Sequence, residues 1–129
     1  MWTLYEFLDT RGRGIIVVWI EDARLQTEAI ARLNQKLDLL AISGPDLSPQ
    51  LLTGTGERHI SKLRVKAPKM QLRPLLCRGP IAPQVEFTLL FGAIERNNTL
   101  PKNALRQAVT NRQTILDDPK RRRLHEHDF

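Results

Sequence analysis

Seven basic residues, Arg58, Lys62, Arg64, Lys66, Lys69, Arg73 and Arg78, fall between Arg58 and Val85 with no Asp or Glu among them. Residues 1–57 carry five basic and eight acidic groups (net −3) and residues 86–129 carry eight and six (net +2), so the formal charge of +6 can be assigned to this one stretch. A one-sign field of that kind draws a polyanion. The alternation Lys62-Leu63-Arg64-Val65-Lys66 sharpens it, because an extended strand turns the three cations to one face and the aliphatics to the core. The bland alternative is the solvated face of a basic protein, and composition alone does not separate the two.

Other groups able to do chemistry are isolated. His59, beside Arg58, is either an acid–base group next to the basic strand or a surface histidine at a strand start. His125 and His127, with Glu126 and Asp128, form an H-x-H without further ligands at defined spacing, so no metal is expected. Cys77 is the only cysteine, which rules out an internal disulfide, suits a reducing compartment and reads as a core residue. Arg11-Gly12-Arg13-Gly14 offers amides to a phosphate but lacks the Lys-Ser/Thr ending of a nucleotide loop, and reads as a hinge. Trp2, Trp19, Phe87 and Phe91 read as core, since stacking on bases requires exposed rings.

The elements that must position the basic face belong to one domain, residues 1–118, followed by a basic tail, 119–129, too charged to pack and expected to be mobile. No run reaches the ~18 apolar residues of a membrane span. The opening MWTLYEFLDT has acids where a secretory signal carries Lys or Arg, so a cytoplasmic protein with no membrane partner is expected. Trp2–Leu8 reads as a first strand. Ile15–Ile20 has strand composition, although Ile15, Val18, Trp19, Ile20 and Ala23 also suit a helix. From Thr27, a plausible N-cap, the spacing of Ile30, Leu33, Leu37 and Leu40 predicts a helix ended by Gly44-Pro45. Leu47–Glu57 reads as loop, and Ile60–Lys66 as one alternating strand. A turn at Ala67-Pro68-Lys69 leads to the strand Gln71–Arg78, with Pro74 at an edge or bulge. Val85–Ile94 reads as the central strand, with Val85, Phe87, Leu89 and Phe91 on one face. Pro101 opens a closing helix with Ala104, Leu105, Ala108, Arg112, Ile115 and Leu116 as its stripe. The order strand, one or two helices, three meander strands, helix predicts an α+β sandwich whose helices cover one sheet face and leave the cationic face open.

Four short segments in order resemble the RelE/ParE toxin superfamily, in its phage-derived, HigB-like branch. Ile60–Val65 resembles that branch's "glyELRv" strand, Gln71–Leu75 its "qyRvly" strand and Thr88–Arg96 its "vlLhgF-KK" strand. Asn97–Pro101 with the helix to Arg112 resembles its "tqktP…ei..A..r" segment, and YEFLD at Tyr5 its opening. The resemblance covers roughly residues 58–117. It implies a RelE-like small sandwich with an N-terminal strand, two helices (making Ile15–Leu25 helical), an antiparallel meander sheet and a C-terminal helix. It also implies a metal-independent endoribonuclease without cofactor, the toxin of a type II toxin–antitoxin pair. Such a toxin cleaves mRNA at the ribosome and is held inactive by an antitoxin protein.

Cleavage without metal requires a base for the 2′-OH proton, cations for the phosphorane and an acid for the leaving 5′-oxygen. The resemblance assigns Arg64 and Arg73 to phosphate and transition-state contacts. Lys62 and Lys66 share the face of Arg64, where one would serve as base if its cationic neighbours lowered its pKa. Arg58, Lys69, Arg78 and Arg96 are the RNA-binding candidates. Two positions depart from the motif: Phe91 stands where the branch has His, and Glu95-Arg96 stands where it has two lysines. These departures favour a rival, a catalytically silent prophage-derived module of the same fold that binds RNA or a partner protein. Topoisomerase binding, as in the ParE branch, is a third reading on fold analogy.

Overall fold

A seven-stranded mixed sheet with three helices makes up the α+β protein in the computed structural model, which describes residues 1–127. In chain order the elements are β1 (Thr3–Phe7), α1 (Ile15–Asp22), α2 (Thr27–Ser43), β2 (Leu52–Gly54), β3 (Ser61–Leu63), β4 (Val65–Ala67), β5 (Met70–Arg78), β6 (Glu86–Glu95), α3 (Ala104–Asp117) and β7 (Arg122–Leu124). Across the sheet the order is β2-β3-β5-β6-β1-β7, with β4 also paired to β5. The expected β3-β5-β6 meander is antiparallel, but β1 lies parallel to β6, so the sheet is mixed.

Ile15–Ile20 is helical despite its strand composition. Ile15, Ile16, Trp19 and Ile20 form a one-sided buried stripe, and Trp19 lies over Gly92, where an added Cβ would come within 1.9 Å of the ring. The buried Glu6 carboxylate accepts the Ile16 amide at 3.1 Å, placing negative charge where the first turn of α1 has unpaired N–H groups. In α2, Leu33, Leu37 and Leu40 are buried as their spacing predicts. Its cap is Gln26 rather than Thr27, and it stops at Gly44, whose φ of +55° suits glycine.

Pro74 shapes the basic strand. Ile60–Lys66 is not one strand but two, β3 and β4, and the break falls opposite Pro74. Lys62 pairs with Leu75 and Val65 with Leu72, leaving the intervening ladder without the N–H that proline lacks. The Arg64 amide donates to the Leu51 carbonyl at 2.7 Å instead. β5 is therefore an interior strand rather than an edge: it tolerates its proline because β3 gives way to β4 opposite it, while β6 pairs through Pro74 on the other side and bulges only after Leu75. The predicted alternation survives the break: Leu63, Val65 and Ala67 are buried while Arg64 and Lys66 are exposed. Within Leu47–Glu57, read as loop, β2 adds three residues to the sheet.

β6 is central, as expected, but its faces switch. Leu75 pairs with Phe91 and Leu76 with Leu89, so Leu90 is an extra residue and the single row through Val85, Phe87, Leu89 and Phe91 is broken. Val85 lies outside the strand and is exposed. The Leu90 carbonyl accepts a 2.8 Å bond from Asn111 of α3, which fixes that helix on β6. The expectation that the helices cover one sheet face and leave the other open is corrected: helices lie on both sides, because Trp19 of α1 covers Gly92 while Arg112 of α3 reaches Cys77, on the opposite face of the β5–β6 pair.

The expectation of a mobile tail is corrected for residues 119–127. β7 pairs antiparallel with β1, Arg122 forms an ion pair with Glu86 and lies over the Tyr5 ring at 3.7 Å, and Arg123 bonds Glu6 at 3.1 Å. Both acids are buried, so the charge that argued against packing is what they require. Among the described residues no helix is long and apolar enough to cross a membrane.

Candidate functional site

The basic segment separates into paired and unpaired cations. Lys62 and Arg73 converge on Glu95 at the end of β6: Lys62 Nζ lies 2.7 Å from Oε2 and Arg73 Nε 2.5 Å from Oε1. Arg73 is 6% exposed, and it also donates to the Leu72 carbonyl at 2.9 Å and the Gln71 side chain at 3.3 Å. Its guanidinium is therefore committed inside the protein. Strand register explains the meeting, since Gln71 pairs with Glu95 and Arg73 with Ala93, placing these side chains on one face. Burial pushes the Glu95 carboxyl up, but the hydrogen bonds and charges of Lys62 and Arg73 outweigh it and hold the group below its ordinary value. Glu95 is thus an ionised, doubly paired carboxylate.

Beside this triad, at the turn end of β5, a polar cleft of about 560 Å³ is lined by Lys66, Lys69, Gln71, Glu95 and Arg96 among others. Lys69 occupies the two-residue turn joining β4 to β5, with φ +58°. Lys66, Lys69 and Arg96 are exposed and make no ion pair among the described residues, and the same holds for Arg58 and Arg64. The structure thus brings three of the predicted cations, Lys66, Lys69 and Arg96, to one cleft, while Arg64 lies on the same outward row without lining it.

Arg58 and Arg78 lie toward the other end of β5, a nine-residue strand spanning about 27 Å. There a second cleft, of about 500 Å³, is lined by Glu57, His59, Ser61, Arg78 and Arg112 with Gly54, Ile60, Pro80 and Pro83. Arg78 donates from Nε to the Pro83 carbonyl at 3.1 Å and rests over the Trp2 ring at 5.0 Å, which orients its guanidinium. The charge of Arg112, then partial loss of hydration, then the charge of Arg58 hold the His59 imidazole below its ordinary value. Sequence reasoning missed Arg112 as a site residue. Its signal was a cation inside the apolar stripe of α3, between Ala108 and Ile115.

The remaining candidates are structural. Cys77 is buried in the core and its thiol is pushed up to about 12 by burial, so it stays protonated near neutral pH. His125 and His127 lie 3.2 Å apart, with His125 3.4 Å from Glu6 and His127 2.6 Å from Asp38; Asp128 lies outside the described residues. No group of three metal-ligating side chains occurs among the described residues. In the Arg11–Gly14 turn, the Asp9 carboxylate already accepts the Arg11 and Arg13 amides at 2.8 Å each, so those amides are not open to a phosphate.

No protein-family model matches the chain, and no curated protein matches it in sequence.

Proposed function

We propose that the chain is an RNA-binding module that holds a single strand on the exposed cations Arg58, Arg64, Lys66, Lys69, Arg78 and Arg96, with Lys62 and Arg73 serving the sheet instead of the RNA. The observation that carries this reading is the Glu95 triad: of the four candidate catalytic cations, Arg73, expected at the phosphorane, and Lys62, expected to position the strand or act as base, are already bound to a carboxylate, and Arg73 is buried. A phosphate entering there would displace Glu95 or be repelled by it. The unpaired cations carry no such cost. Single-strand binding of this type is dominated by release of counterions and is steeply salt-dependent.

The RelE-like architecture remains part of this proposal. The strand, two helices, meander and closing helix follow the order implied by the motif resemblance. The "glyELRv" motif carries Glu at the position of Lys62 and the "vlLhgF-KK" motif carries Lys at the position of Glu95, so the two residues that pair in this chain have the opposite signs in the motifs. A structural ion pair tolerates such an exchange; a cation needed for the phosphorane does not.

Metal-independent cleavage of mRNA at the ribosome, by a toxin that a cognate antitoxin neutralises, is the second reading. One observation favours it: Glu95 lines the same cleft as Lys66, Lys69 and Arg96, so a carboxylate able to accept a 2′-OH proton sits beside free cations. Expression of the intact chain beside Arg64→Ala/Lys66→Ala, with mapping of new 5′ ends on transcripts and RNA binding by the purified proteins, separates the readings. Binding that the double variant loses, with no new ends from the intact chain, supports the module. Growth arrest with cuts in translated frames, absent in the double variant, establishes the ribonuclease. No RNA binding at all, with salt-sensitive capture of an acidic protein, would replace RNA by a protein partner.

A further inference from the structure

The cleft at the far end of β5 has the composition of an anion site. Two arginines approach it from different elements, Arg78 from the last position of β5 and Arg112 from the middle of α3. Arg112 is half-buried, and its Nε is enclosed without a hydrogen-bond partner. A buried donor on a permanently charged group is costly to leave unmatched. The nearby groups do not offset its charge. Cys77 meets the Arg112 side chain with a neutral thiol, a weak acceptor, and Glu57, which also lines the cleft, forms no ion pair with either arginine among the described residues. Arg78 is already oriented by the Pro83 carbonyl and the Trp2 ring, so its fork needs little further ordering to meet a planar or tetrahedral anion.

We propose that this cleft is a phosphate site, in which Arg78 and Arg112 hold one phosphate group of the bound RNA strand and His59 lies alongside it. That the phosphate belongs to RNA rests on the reading above; the phosphate chemistry itself does not. Arg112 and His59 then join the binding surface, and β5 carries a cationic cleft at each end, about 27 Å apart. The charged groups facing His59 are Glu57 and Arg58 from the β2–β3 loop, Arg78 from β5 and Arg112 from α3. A bound phosphate offsets the arginine charges, so it raises the pKa of His59.

The test is an NMR titration of the histidine side chains of the full chain, with sodium phosphate, with a short single-stranded RNA and with sodium chloride at matched ionic strength. The expected result is an upward move of the His59 pKa with phosphate and RNA beyond that seen with chloride. Arg78→Gln and Arg112→Gln should each weaken phosphate binding about tenfold or more, the worth of a charge-assisted hydrogen bond. Arg78 is exposed, so its variant reports even if the Arg112 variant folds poorly. A His59 pKa that phosphate and RNA leave where chloride does overturns the site, and if RNA nevertheless binds, the function proposed above survives without it. A phosphate shift that Arg78→Gln leaves intact overturns it equally. A phosphate shift dependent on both arginines, in a chain that binds no RNA, keeps the phosphate site, assigns it to a small phosphate ligand and removes the RNA reading.

Discussion

The two ends of β5 hold arginines of the same sequence stretch in opposite states. At one end Arg73 is buried and shares Glu95 with Lys62; at the other Arg78, joined there by Arg112 of α3, faces a cleft with no carboxylate bound to either arginine among the described residues. The difference lies in a residue distant in sequence. Glu95 is 22 residues from Arg73 and 33 from Lys62, and only the β5–β6 register brings it across. A run of cations is therefore a binding surface only where the fold supplies no acid of its own.

Removing Glu95 should break this comparison most sharply. Glu95→Ala leaves Arg73 buried and unpaired and should cost about 3–5 kcal/mol, whereas Glu57→Ala at the other cleft should stay within about 0.5 kcal/mol. Urea midpoints of the two variants measure both. Glu95→Gln sharpens the same point through pH. The Glu95 carboxyl titrates lower in the folded chain than in the unfolded one, so its stabilisation is fully present above the unfolded value and is lost as pH falls through the folded one. Urea midpoints of the wild type should therefore fall with acid more steeply than those of the Gln variant; parallel acid limbs would remove the triad's special role.

The tail provides a second contrast with the free cations. Arg123→Ala leaves the fully buried Glu6 with the Ile16 amide and His125 as neighbours and should destabilise the chain by about 2–4 kcal/mol; Arg64→Ala should leave stability within about 0.5 kcal/mol. A smaller expected effect concerns the imidazole. In the free protein the His59 pKa lies below that of an unperturbed histidine, and Arg112→Gln should return it upward, because Arg112's charge is the largest cause of the shift. Histidine side-chain NMR reads this directly.

Much of the fold was legible in the sequence because it rests on local periodicity. The α2 stripe, the turn at Pro68-Lys69, the outward row of Arg64 and Lys66 and the central place of β6 follow from spacing alone. What was not legible depends on partners far along the chain. Composition left Ile15–Ile20 open between strand and helix, with only the motif resemblance implying the helix; it is helical because Trp19 finds Gly92 and Glu6 meets the helix start. Residues 119–127 pack because Glu6 and Glu86 lie buried on β1 and β6. The break between β3 and β4 was half visible: Pro74 was recognised as a missing donor, but its consequence appears on the neighbouring strands rather than its own. In the candidate site, Glu95 was identified as a departure from the motif, while its clamp on Lys62 and Arg73 required the register.

The central claim, that free rather than paired cations hold the RNA, is tested most directly by the salt dependence of binding to a short single-stranded RNA. Wild type, Lys66→Gln and Lys62→Met should be compared between about 50 and 200 mM salt. Loss of one phosphate contact lowers the slope of log K against log salt by about 0.7 for a single strand. The account predicts that decrease for Lys66→Gln and an unchanged slope for Lys62→Met. An equal decrease for Lys62→Met, or no salt-dependent RNA binding by the wild type, would contradict it.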